Sequence, residues 1–326
     1  MINNTYQELR NSVLDKKKKI SSYVKSKYSK SERVERKPDW LKVPLPSGDN
    51  FKETKTELRK NKLWTVCEEA NCPNLSECWT HKTATMMILG GTCTRACRFC
   101  NVDTGNPKGY VDADEPLNAS KMVEKMGLKY IVITSVDRDD LSDFGSGHFA
   151  NVVNEVKKNH PETLVEVLIP DFDGHEKSMH TLAKSGPFVI AQNIETVKSL
   201  TKKVRDPRAG YEKTLSCLSF YKNNYPHITT KSSLMLGLGE THDEVLQCLK
   251  DLRSVGVNII TFGQYLRPTK MHLPVENYVT PNEFEYWKKT AYEEGFDFVA
   301  SGPLVRSSYK AADYLDHLKS KGLWKH

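Results

Sequence analysis

From residue 85 to residue 294, short apolar runs alternate with stretches of helical spacing. Thr85–Leu89, Tyr130–Thr134, Leu164–Ile169, Phe188–Gln192, Lys231–Leu236 and Asn258–Phe262 have the length of buried strands. Between and after them, segments near Leu117–Met126, Gly147–Asn159, His175–Ser185, Tyr211–Asn223, Asp243–Ser254 and Asn282–Glu294 repeat apolar residues at three- and four-residue steps. Six strand–helix units predict an α/β fold, a parallel sheet curled into an open, partial (βα)6 TIM-like barrel with N-terminal and C-terminal extensions. Sheets of this kind carry their chemistry at the carboxyl ends of the strands. Ahead of the barrel, Phe51–Leu63 has helical spacing. Lys37-Pro38-Asp39-Trp40 and Val43-Pro-Leu-Pro46 read as an extended strap laid over the barrel, because a residue before proline avoids the helical region. No apolar run approaches the ~18 residues of a membrane helix.

Charge changes the picture at one end only. The 326 residues carry a net charge of +7. Residues 1–40 hold 11 Lys/Arg against 5 Asp/Glu, leaving 37 and 36 for the rest, so the body is nearly neutral. A nucleic-acid footprint would sit on the folded body with aromatics interleaved, so no nucleic-acid partner is expected. The arm, densest at Lys16–Lys19, reads as a solvated, partly helical extension; docking an acidic protein is the sharper alternative. It is Lys-rich and contains Glu8 and Asp15, unlike an Arg-rich presequence, which points to a cytoplasmic protein of bacterial type.

The chemistry is concentrated between Cys67 and Cys100, which holds six of the eight cysteines. Cys67, Cys72 and Cys78 are spaced C-x4-C-x5-C; Cys93, Cys97 and Cys100 are spaced C-x3-C-x2-C. Structural zinc and plain electron-transfer clusters take four protein ligands, so a triplet leaves one metal position for something else. Each triplet reads as a [4Fe–4S] site with one iron not bound by cysteine. A disulfide knot needs an oxidising compartment. Zinc held by three cysteines and a distant histidine is the other alternative. Cys217 and Cys248 lie on apolar helical stretches and read as buried and inert. His81, His148 and His272 have no ligand spacing and read as structural.

The second triplet, with Phe99 before its last cysteine, resembles the signature of radical S-adenosylmethionine enzymes. The first resembles the lipoyl synthase family within that group. So do Lys37-Pro-Asp-Trp40-Leu, Thr134-Ser-Val-Asp137-Arg138-Asp139-Asp140-Leu, Leu236-Gly-Leu-Gly-Glu240-Thr, Gly263-Gln-Tyr-Leu-Arg267-Pro and Arg306-Ser307-Ser308-Tyr309, in that family's order. One segment departs: Ala191-Gln192-Asn193 precedes Glu195-Thr196-Val197 where the family has Asn-His-Asn. The resemblance divides the chain into an arm and strap (1–60), an auxiliary-cluster segment (61–82), a radical-enzyme barrel (83–300) and a tail (301–326).

The resemblance implies two [4Fe–4S] clusters and S-adenosylmethionine as cofactors. The cluster on Cys93, Cys97 and Cys100 would cleave S-adenosylmethionine. The one on Cys67, Cys72 and Cys78 would take its fourth ligand from Ser308, with Ser307 as fallback, and donate sulfur. Ser135, Asp137 and Arg138 are candidates to hold the cofactor's ammonium and carboxylate; the same residues also read as an ordinary helix-capping cluster. Gln192, Asn193 and Glu195 would face the same mouth, with Gln264 and Arg267 as further candidates. Gly237, Gly239 and Glu240 read as an adenosyl and methionine environment, or as a tight turn. The implied reaction is insertion of two sulfurs, at carbons C6 and C8, into an octanoyl chain on a lysine of a lipoyl carrier domain. Implied partners are octanoylated carriers (2-oxoacid dehydrogenase E2 subunits and the glycine cleavage H protein), an electron donor and an iron–sulfur carrier that rebuilds the spent cluster. The alternatives are a methylthiotransferase or peptide-modifying radical enzyme, a two-cluster redox carrier without catalysis, and a zinc-bound interaction module.

Overall fold

The computed structural model describes residues 2–27, 36–43, 49–80, 85–308 and 311–322. Ahead of the barrel come α1 (Ile2–Lys27), α2 (Asp49–Lys60), β1 (Trp64–Thr65), α3 (Val66–Glu69) and α4 (Leu75–Thr80). The barrel opens with β2 (Met86–Ile88), β3 (Thr92–Cys93), β4 (Asp103–Thr104), α5 (Glu115–Met126), β5 (Tyr130–Ser135), α6 (Ser146–Asn159), β6 (Leu164–Leu168) and α7 (Glu176–Lys184). It continues through β7 (Val189–Ala191), α8 (Thr201–Val204), α9 (Tyr211–Asn224), β8 (Thr229–Leu236), α10 (His242–Ser254), β9 (Ile259–Gln264), α11 (Pro281–Glu293) and β10 (Phe298–Gly302), and the chain closes with α12 (Asp313–Ser320).

The main sheet has the order β1-β2-β5-β6-β7-β8-β9-β10. Neighbours from β2 to β10 are parallel, and β1 pairs antiparallel with β2. This is the expected open barrel, and all six helices anticipated between and after the strands are present. The structure adds β10, whose Phe-Val-Ala-Ser-Gly sequence has no sustained apolar run, and the two-residue edge strand β1. Both α10 and α11 begin with capping boxes, Thr241 with Glu244 and Thr280 with Glu283, which satisfy the free N–H groups of the first turn.

One core packs β2, β5 and β6 against α5, α6, α7 and the N-terminal elements; a second packs β8 and β9 against α10 and α11. Inside the barrel, Lys231 Nζ lies 2.6 Å from Glu166, which also accepts from Tyr130 OH at 2.5 Å. Tyr314 of α12 packs on Val189 and Ile259, at the starts of their strands. The opposite rim, where the strands end, is left for the site.

Two N-terminal expectations are revised. The basic arm is not merely solvated: Tyr6, Arg10 and Val13 of α1 are buried, and Lys16 and Lys17 pair with acids of the body. The strap is not wholly extended, since Asp39–Leu41 forms a 3-10 turn that buries Leu41. Its Pro44–Pro46 stretch, like His81 and Tyr309, lies outside the described residues. No helix among the described residues is long and apolar enough to cross a membrane.

Candidate functional site

At the strand ends a cavity of about 700 Å³ is lined by Cys67 and Cys72 from one triplet, Cys93, Cys97 and Cys100 from the other, and Ser307 and Ser308 of the tail. Cys78, on α4, is half-buried and packs on the same core. None of the eight cysteines forms a disulfide.

The Cys93–Cys100 loop is held on every side. The short β3–β4 ladder pairs Cys93 with Thr104 and closes its base. Arg95, almost wholly buried, binds Asp139 at 2.9 Å and Asp171 at 2.7 Å. Ala96 N donates to Asp206 Oδ2 at 2.7 Å, and Arg208 clamps Asp206 from the other side. His272 Nε2 lies 2.9 Å from the Cys100 carbonyl. Two backbone donors point at sulfur: Arg95 N to Cys93 Sγ at 3.4 Å, and Asp206 N to Cys97 Sγ at 3.3 Å. Such donors stabilise a thiolate and tune the potential of a bound cluster.

The first triplet sits on α3, α4 and the turn at Pro73 between them. The C-terminal tail folds onto it. Asn74 Nδ2 donates to Leu304 O at 2.7 Å, and Thr85 Oγ1 donates to Ser308 Oγ at 2.8 Å. Gly263, at the end of β9, makes this possible, since a Cβ there would stand 2.1 Å from Val305 O. Arg306 carries its charge close enough to Cys72 to oppose the rise of that thiol's pKa. Without metal, burial pushes Cys67 and Cys97 up to about 12 and Cys100 to about 11. Metal must therefore displace a proton from each sulfur, which couples loading to proton release.

Three thiols at each triplet suit a [4Fe–4S] cluster, in which each cysteine binds a different iron and one iron is left to another ligand.

The cofactor candidates divide. Phe99, Ser135, Asp137, Gln192, Asn193 and Glu195 all line the cavity, as do Gln264 and Arg267. Ser135 Oγ and Asn193 Oδ1 are buried without a partner among the described residues, polar atoms that a ligand rich in ammonium, carboxylate and hydroxyl groups would satisfy. Burial raises Asp137 to about 6 despite Arg95 beside it, and burial likewise raises Glu195. Arg138 is turned away. Its guanidinium is buried against Asp140 at 2.8 Å and the carbonyls of Leu89 and Tyr110, off the cavity wall. Gly237, Gly239 and Glu240 also lie off that wall. A Cβ on Gly237 would meet Gln264 Nε2 and Asn277 O, and Glu240 caps the Gly237 and Leu238 N–H groups, so this loop packs on its neighbours.

Residues outside the recognised motifs complete the wall. Arg205 lines the cavity; its Nη1 donates to Thr214 Oγ1 at 2.9 Å, and its buried Nε has no partner among the described residues. Asp171, Asp206 and Arg208 carry the loop. Asp171 follows a predicted strand by two residues, whereas Asp206 and Arg208 follow α8, which no apolar pattern marks, so the sequence carries no signal for them. Of the remaining candidates, Cys217 and Cys248 are buried as expected; His148 pairs with Glu115 at 2.7 Å.

Residues 87–252 match the radical SAM superfamily, and residues 5–72 match the N-terminal domain of lipoyl synthase of that superfamily. Lipoyl synthase of Marinobacter nauticus is 54% identical over 91% of this chain and 86% of its own length. Lipoyl synthase of Thermus thermophilus is 55% identical over 87% of this chain and 88% of its own. Among solved structures, methylornithine synthase aligns with a TM-score of 0.50 at 14% identity, covering 74% of this chain and 82% of its own. Streptococcus suis SuiB bound to S-adenosylmethionine aligns at 0.52 and 11%, covering 78% of this chain and 57% of its own. These two share the fold.

Proposed function

The chain belongs to the lipoyl synthase family of radical S-adenosylmethionine sulfurtransferases, and from that premise we propose how its residues divide the work. When bound, the two clusters and S-adenosylmethionine supply a hydrogen-abstracting 5′-deoxyadenosyl radical and the sulfur that replaces hydrogen on carbon. Cys93, Cys97 and Cys100 hold the cluster that meets S-adenosylmethionine. Cys67, Cys72 and Cys78 hold the auxiliary cluster, and Ser308 is its fourth ligand. A hard oxygen donor on an iron that prefers thiolate is the contact most readily given up.

Asp137 and Glu195 receive the cofactor's ammonium. Arg205, with its unpartnered Nε, takes the carboxylate in place of Arg138. Ser135 and Asn193 bind its remaining polar groups. The fixed charges of Arg95, Asp139, Asp171 and Asp206 keep the loop from moving as the cofactor enters.

The substrate is an octanoyl chain on a lysine of a carrier domain, sulfurated at C6 and C8. An electron donor and an iron–sulfur carrier are the other partners, in the cytoplasm. The observation that carries this reading is that cysteines of both triplets and Ser308 open onto one cavity. The test is anaerobic reconstitution followed by assay on an octanoyl-lysine peptide. The expected result is lipoyl-lysine peptide with about two 5′-deoxyadenosines per product, one for each hydrogen replaced. Cleavage of S-adenosylmethionine with no sulfur in the peptide would overturn it.

A further inference from the structure

Helix α1 runs across the place where the two cysteine segments meet. Tyr6 OH donates to Leu63 O at 3.3 Å, and Arg10 lies 5.2 Å over the Trp64 ring and 3.4 Å from Glu68. These contacts dock the helix just ahead of the first triplet. Further along, Lys16 Nζ binds Asp103 at 2.6 Å and the Thr104 carbonyl at 2.5 Å. Lys17 Nζ binds the Glu69 carboxylate at 2.7 Å and the Glu69 carbonyl at 3.1 Å.

The two acids belong to different segments. Glu69 lies between Cys67 and Cys72. Asp103 is on β4, paired with the strand that carries Cys93. Asn101 Nδ2, just past Cys100, donates to the same Glu69 carbonyl at 3.1 Å. The acid side chains are only 4% and 8% exposed, while Lys17 is 28% and Lys16 48% exposed, so the Lys17–Glu69 pair is the better shielded from solvent. Neither lysine lines the cavity.

We propose that Lys16 and Lys17 are positioning residues that lock the two cysteine segments together across the cavity. The proposal rests on the reading that both segments serve one substrate. A substrate carbon handled at one segment must then lie within reach of the other, and a displacement of about 1 Å can cost on the order of a hundredfold in rate. Two adjacent lysines on one docked helix, each holding an acid from a different segment, fix that separation from outside.

The variants are Lys16→Met, Lys17→Met, Lys17→Arg and Lys18→Met. Lys18 loses the same charge from the same helix but, among the described residues, pairs only with Asp15. Amide exchange is measured first on the metal-free full chain. Lys17→Met should speed exchange several-fold across residues 66–72, Lys16→Met across 101–105, and Lys18→Met across neither. Equal acceleration in β8 and β9 would mean general loss of fold and would overturn the proposal. On the reconstituted chain, Lys17→Met should form 5′-deoxyadenosine within about twofold of the unmodified rate, yet yield about tenfold less lipoyl product per 5′-deoxyadenosine. Lys17→Arg should restore the ratio. A Lys17→Met ratio equal to that of Lys18→Met would overturn the proposal. Failure of the unmodified chain to make lipoyl product would instead remove the functional reading and this proposal with it.

Discussion

Thr85 and Ser308, 223 positions apart, share a hydrogen bond of 2.8 Å. Thr85 also stands at the first triplet: its carbonyl accepts from Val66 N at 3.2 Å, next to Cys67. One residue thus touches both the cysteine segment and the serine assigned as its fourth ligand. Ser308→Ala should leave 5′-deoxyadenosine formation intact and lower lipoyl product at least tenfold. Ser307→Ala should stay close to the unmodified protein. Product analysis by mass spectrometry decides, and the reverse ranking would move the ligand to Ser307.

The two triplets should fail differently. Cys97→Ala should abolish 5′-deoxyadenosine, because its loop is the one proposed to meet S-adenosylmethionine. Cys72→Ala should keep that activity and lose sulfur insertion. With clusters built from heavy-isotope sulfide in natural-abundance buffer, both inserted sulfurs should be heavy. Lipoyl product from Cys72→Ala would show that the first triplet is only structural.

Gly263 offers a test that touches no ligand. A methyl group there collides with backbone, the Val305 carbonyl, which has no flexible end to move aside. Overpacking of this kind costs about 1–3 kcal/mol. The simplest relief is displacement of the tail, so Gly263→Ala should mimic Ser308→Ala: normal 5′-deoxyadenosine, little lipoyl product and a lowered thermal midpoint. Full product formation would show that the tail tolerates the shift.

Arg138 predicts a pH effect on stability. Its hydrogen bonds hold Asp140 below the ordinary carboxylate value, chiefly through the side-chain pair. A depressed folded pKa contributes stability above the unfolded pKa and loses it as pH falls through the folded one. Urea unfolding should therefore show an acid-side loss of stability that is smaller in Asp140→Asn. An unchanged acid slope in Asp140→Asn would refute the assignment. Arg138→Met should destabilise at neutral pH by about 3–5 kcal/mol, the cost of breaking a buried pair.

Much of this was legible in the chain. The six main-sheet strands β2, β5, β6, β7, β8 and β9 stand where apolar runs mark them, the short β3–β4 pair does not, and the cysteine spacings mark the two segments. Direction was harder to read. Asp137 and Arg138 are adjacent, and neighbours on a chain leaving a strand tend to face opposite sides. Asp137 faces the cavity, and Arg138 is drawn behind it by Asp140 and two carbonyls. The Lys16–Lys19 run reads as solvated because nothing local reveals that Glu69 and Asp103 arrive beside it through folding. The strand β10 was hidden by its Ser and Gly, residues that strands usually lack and that its place at the edge of the sheet, beside β9, tolerates.

The bond from Asn74 to Leu304 spans 230 residues and so has a consequence for the order of events in the cell. Synthesis runs from the N-terminus, at about 5–20 residues per second. The three thiols of the first segment leave the ribosome long before the tail that closes over them. During that interval the thiols lack the tail's cover and are open to whatever delivers iron and sulfide and equally to oxidants. Completion of the site therefore waits for the tail, and a nascent chain stalled before Leu304 should be the form most sensitive to oxygen.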